Sequence, residues 1–108
     1  MKLLTKSIER KLKANAIRFG DDHKPVVKFF GGGACTWLIS EMHPDTNRMY
    51  GLCDLGHGSA ELGYVMLEDL EGLTFQFGLK VERDLWFKAD KTLNEYADEA
   101  RISGRIAA

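Results

Sequence analysis

A chain of 108 residues with 44% apolar and 29% charged side chains has the composition expected of one globular domain with its own core. The formal net charge of −1 excludes the strongly basic balance of a dedicated nucleic-acid binder, and no apolar run approaches the roughly 20 residues that cross a bilayer. Charges are spread through the opening MKLLTKSIERKLK, so no secretory leader is expected. The chain reads as cytoplasmic, and Cys35 and Cys53 as reduced thiols.

The small net charge conceals a polarity. Residues 1–30 carry eight Lys/Arg against three acids, residues 31–79 only Arg48 against seven, and residues 80–108 six of each. That asymmetry is compatible with a basic patch on one element and an acidic surface on another. A solvated helix face is the plainer explanation of the basic part.

In chain order, Thr5 is placed to cap a first helix in which Leu4, Ile8 and Leu12 recur every four residues, with Lys6, Arg10, Lys11 and Lys13 facing away. Gly20, Asp21 and Asp22 end it. Pro25 opens a strand, Val26 to Phe30, and Gly31-Gly32-Gly33 is a turn. No lysine or hydroxyl residue follows it at the spacing of a phosphate loop. Cys35 to Glu41 reads as a second strand with Cys35, Trp37, Ile39 and Glu41 on one face. His43 to Arg48 forms a polar loop, and Met49 to Leu55 returns as a hairpin partner. A glycine-bearing connection leads to a fourth strand, Leu62 to Met66, followed by at most one helical turn at Glu68 to Gly72. Val81 to Phe87 is the fifth strand. Thr92 and Glu95 have capping-box spacing, Leu93, Tyr96, Ala97 and Ala100 form one helical stripe, and Gly104 closes the last helix. The expected fold is α+β, a mostly antiparallel sheet of about five strands flanked by N- and C-terminal helices, in a single domain over 1–108.

Six ordered blocks, MKLLTK, VVKFF, TWLISE, GLCDLGHGSAELGYV, GLKVERDLWF and LNEYADEARISGRI, resemble the bacterial domain-of-unknown-function family 2958. The resemblance implies a small stand-alone bacterial protein, often encoded on plasmids and other mobile elements. It carries no catalytic residue with it. The family pattern places histidine where this chain has Trp86. In a strand Glu82, Asp84 and residue 86 share a face, and with histidine they would form a set able to ligate a metal. Indole neither ligates nor transfers a proton, so the metal reading loses its nitrogen.

Two constellations remain. Arg83 shares its expected face with Val81, Leu85 and Phe87, and a guanidinium lying against apolar surface calls for a carboxylate. A structural ion pair with Glu41 or Glu61 is preferred over a binding or a catalytic role. Cys35, Cys53, Asp54 and His57 could gather around zinc, but without a C-x-x-C element small packed thiols are the better reading. His23 is expected in solvent, and Trp37, Tyr50, Tyr64 and Trp86 in the core, with a stacking surface for nucleic acid as the alternative.

Together these features favour a non-enzymatic protein-binding module with no cofactor, no bound metal and no membrane partner. Its candidate binding residues are Glu82, Asp84, Trp86, Glu41 and Glu61. One alternative is a metal- or cysteine-dependent enzyme using Glu82, Asp84, Cys53 and His57. The other is nucleic-acid binding through Lys6, Arg10, Lys11, Lys13 and Arg18.

Overall fold

Along the second strand, Trp37 and Ile39 point one way and Leu38 the other, and all three are buried. A strand buried on both sides needs a layer on each. The computed structural model, which describes residues 2–18 and 20–108, supplies both layers. Helix α1 (Lys6–Ile17) precedes strands β1 (Val27–Gly31), β2 (Cys35–Met42), β3 (Arg48–Asp54) and β4 (Glu61–Met66). The short helix α2 (Leu67–Gly72), a 3-10 turn (Gln76–Gly78), β5 (Glu82–Arg83) and helix α3 (Leu93–Ser103) complete the order. The sheet runs β4-β3-β2-β1-β5 with every pairing antiparallel, so the fold is α+β.

Each helix covers its own face. Leu12 of α1 is fully buried with Val27, Phe29, Trp37, Ile39, Met42 and Met49. Fully burying one such side chain contributes about 1.5–3 kcal/mol. On the other face Leu93, Tyr96, Ala97 and Ala100 of α3 pack on Leu38 and Leu52. The caps are those the sequence indicates. Thr5 Oγ1 accepts from the Ile8 N–H at 3.1 Å, Thr92 and Glu95 form a reciprocal capping box, and α3 ends on left-handed Gly104. No helix among the described residues is long and apolar enough to cross a membrane.

The fifth strand departs from expectation. Only Glu82 and Arg83 pair with β1. The Asp84 N–H still reaches the Lys28 carbonyl at 2.9 Å, but its carboxylate then accepts the Trp86 N–H at 2.9 Å and its carbonyl faces the Phe87 N–H. That side-chain bond turns the chain, as aspartate does at the head of a turn. Phe87 consequently packs on the α3 side, while Leu85 and Trp86 are left exposed. The extended face Glu82-Asp84-Trp86 therefore does not form, and Trp86, at 91% exposure, is not a core residue.

Arg83 is also anchored differently. Opposite Phe29, its Nη1 donates to the carbonyls of Lys2 and Leu3, each at 3.0 Å. No carboxylate among the described residues lies within ion-pair distance of it. The reason is topological: β5 is one edge of the sheet, Glu61 is on the other, and Glu41 lies on the central strand β2, two strands away from β5. Backbone carbonyls of the N-terminal segment fill the role assigned to a carboxylate.

Candidate functional site

The site originates in one extra residue. β2 and β3 stay in register from Thr36 opposite Asp54 to Ile39 opposite Gly51, and then the register shifts so that Glu41 faces Tyr50 and Met42 faces Met49. Ser40, only 1% exposed, is the bulged residue. A bulge reverses the alternation beyond it. Met42 therefore joins Ile39 in the α1-side core, and Glu41 emerges on the α3 side, not beside Cys35, Trp37 and Ile39 as strict alternation requires.

Tyr50 in turn stands opposite Tyr64. Glu41, Tyr50 and Tyr64 thus make a row across three strands that ends at the outer strand β4. The two rings lie 5.2 Å apart at 55°, and the Arg48 guanidinium sits 4.6 Å from the centre of the Tyr64 ring. Tyr64 is 65% exposed, so it belongs to the surface and not to the core.

The segment after α1 walls one side of this row. The Asp22 carboxylate accepts the Asn94 N–H at 3.0 Å and the His23 carbonyl accepts the Leu93 N–H at 2.9 Å, which satisfies the first turn of α3 and fixes the loop. His23 Nε2 lies 3.0 Å from the Arg18 carbonyl, and the ring is half-buried, not in solvent. A cleft of about 280 Å³ lies between Asp22, His23, Ser40, Glu41, Tyr50 and Tyr64. It continues past Glu41 and the two tyrosines into a second hollow of about 350 Å³ reaching His43 and Arg48.

Acidic groups set the electrostatics at the inner end of this cleft, and His23 is the group that opposes them. Burial raises the Glu41 carboxyl above its ordinary range, with His23 opposing the shift. Tyr50 is raised first by burial and then by Tyr64, Glu41 and Asp22, the mark of a negative local potential. Among the described residues no hydrogen bond joins Ser40 to His23, so the cleft holds no nucleophile–base pair in contact.

The other sequence candidates are dispersed. Glu61 is exposed at the start of β4, on the same sheet edge as Tyr64. Glu82, Asp84 and Trp86 lie at the opposite edge, where Asp84 Oδ2 is 3.6 Å from Lys28 Nζ. Cys53 packs on the α1-side core, with burial pushing its thiol up to about 11, and Cys35 Sγ lies 3.7 Å from the Leu55 carbonyl. His57 is exposed, and no three His, Cys, Asp or Glu among the described residues gather into a metal-holding group. On α1, Lys6, Arg10 and Lys11 face solvent and Lys13 pairs with Glu9 at 2.9 Å, while Arg18, just past the helix, pairs with Asp21 at 3.2 Å.

The sequence places a strand at Leu62 to Met66 but does not mark it as an open edge of the sheet. The Leu67 N–H donates to the Asn47 carbonyl at 2.9 Å, which in this register makes residues 61, 63 and 65 the ones bonded to β3. The N–H and C=O groups of Leu62, Tyr64 and Met66 therefore point outward, and no strand among the described residues pairs with them. The edge carries no proline, lysine or bulge, the usual protections. Leu62, at 40% exposure, adds apolar surface beside Tyr64.

The family model described as "Protein of unknown function (DUF2958)" matches residues 3–107. No curated protein and no solved structure shows significant similarity to the chain. The match spans helices α1, α2 and α3, all five strands and the Glu41–Tyr50–Tyr64 row, and the chain belongs to the DUF2958 family.

Proposed function

We propose that this protein is a non-enzymatic binding module that receives an extended, basic segment of a partner protein by strand addition at β4. The observation that carries the reading is the open edge: outward backbone groups on Leu62, Tyr64 and Met66 next to exposed Leu62 and Tyr64 side chains. In strand addition the main chain provides affinity and alternate side chains provide choice. Charge selects the partner. Glu61 stands at the start of β4, and Glu68, Asp69 and Glu71 on α2 stand at its end. A basic segment meets complementary potential there, which also speeds encounter. The setting that goes with this reading is the cytoplasm of a bacterium, with the module serving a mobile element and acting on a host protein.

Leu62→Pro tests it. Proline removes one outward N–H while leaving the bonds to β3 in place, as edge positions allow. Wild-type protein and this variant are used as baits in the native host's lysate, and each captured partner is mapped to its bound segment. A basic, extended segment held by wild type and lost by the variant is the expected result. A partner bound equally by both, through another surface, would overturn the reading.

A further inference from the structure

We propose that the cleft between Asp22, Glu41, Tyr50 and Tyr64 is a receptor for an organic cation, a guanidinium or alkylammonium group. This goes beyond strand addition and does not need it, because the cleft lies over the sheet face while the edge lies in the sheet plane. Three observations converge. The Glu41 carboxylate is partly desolvated at the inner end of the row, where a paired cation would recover the interaction lost with water. The Tyr50 and Tyr64 rings continue the row outward, 5.2 Å apart and tilted, so a cation entering between the edge and Glu41 meets aromatic faces along the way. Arg48 already places a guanidinium 4.6 Å from the Tyr64 ring centre, the kind of contact an entering cation would make on the part of this 65% exposed ring that Arg48 leaves open. An anionic ligand fits poorly, since Asp22 and Glu41 both line the cleft.

The inner part of the cleft, about 280 Å³, suits a single side chain or a small amine, with the second hollow of about 350 Å³ left for the rest of a larger bound group. The cation has two sources, a basic side chain of a bound segment or a free small molecule, and both present the same chemistry to Glu41. Two probes separate them: Nα-acetyl-L-arginine amide for the side chain and agmatine for the free amine. Nα-acetyl-L-norleucine amide is the uncharged control.

Each probe is titrated into the intact protein at neutral pH while the Tyr50 and Tyr64 ring signals and the Glu41 amide are followed by NMR. Saturable shifts with one or both cations, absent with the norleucine compound, are expected. Glu41→Gln should weaken the binding about tenfold, and Tyr64→Leu by several-fold, with both variants folded by their amide spectra. Response to the blocked arginine assigns a side-chain source, and response to agmatine alone assigns a free amine. No saturable shift with either cation, or equal binding by Glu41→Gln, overturns the proposal. Leu62→Pro should bind these small cations like wild type, so failure of strand addition and failure of the cleft remain distinguishable.

Discussion

Arg83 and Leu3 are 80 residues apart in sequence and joined by a 3.0 Å hydrogen bond from the guanidinium to the Leu3 carbonyl. The same nitrogen reaches the Lys2 carbonyl, and the Leu3 side chain, 4% exposed, is buried in the α1-side core. One side chain on the short strand β5 thus fastens the segment leading into α1. Arg83→Met keeps much of the stem but leaves both carbonyls without this donor, at a cost of about 1–3 kcal/mol. Arg83→Lys should fall between the two, since an ammonium lacks the planar fork. Removing Glu41 or Glu61 should not reproduce the loss. Urea unfolding measures all four, and an Arg83→Met protein within about 0.5 kcal/mol of wild type would rule out the anchor.

What was legible in the sequence was what neighbouring residues decide among themselves. Thr5, the Thr92–Glu95 box and Gly104 act within one helical turn, and the structure shows all of them in place. The glycine turn at 31–33 and the β2–β3 hairpin are similarly local. The site was not legible, because it depends on pairing. Nothing in Ser40 announces a bulge, yet that residue decides which face Glu41 takes. The trace available was Gly51, a glycine inside a strand, which signals close backbone approach or a bulge nearby. The turn at Asp84 is equally hidden, since the same Asp can extend a strand or cap a turn.

That trace makes a test. A Cβ on Gly51 would lie 2.0 Å from the Leu38 carbonyl oxygen and 2.9 Å from Ile39 Cα, so backbone would have to move. Gly63, its partner on β4, would meet nothing within 4 Å. Gly51→Ala should therefore destabilise by about 1–3 kcal/mol or more. Gly63→Ala should be neutral or stabilise by about 0.5 kcal/mol, because glycine weakens a strand interior. Two variants of the same cross-strand pair with equal stability would contradict the bulge geometry.

Thiol reactivity reports the packing of β3. With its thiol pushed up to about 11 by burial, Cys53 holds only about one part in a thousand as thiolate near pH 8. An alkylating reagent should modify Cys35 first and Cys53 only through opening of the sheet, with both reacting alike in denaturant. Intact-mass measurement over time follows the two steps. Equally fast modification of Cys53 in the folded protein would show that it is not packed on the α1-side core.

Glu41 offers a test in which stability and binding move oppositely. Burial raises its carboxyl above the ordinary 4.5, so the folded chain keeps this proton to higher pH than the unfolded chain does. The group's contribution to stability is therefore undiminished below the ordinary value, falls as pH rises through the raised one, and stays as a fixed cost at neutral pH. Glu41→Gln keeps the shape and cannot ionise. Its melting temperature should exceed that of wild type near pH 7, and the difference should vanish near pH 3, where the wild-type carboxyl is protonated in both states. The same variant is the one expected to lose the organic cation. A carboxylate that lowers stability while serving a ligand is the usual compromise at a binding site. If Glu41→Gln instead melts lower at neutral pH, the carboxylate is a structural anchor, and the cleft should not be read as a cation receptor.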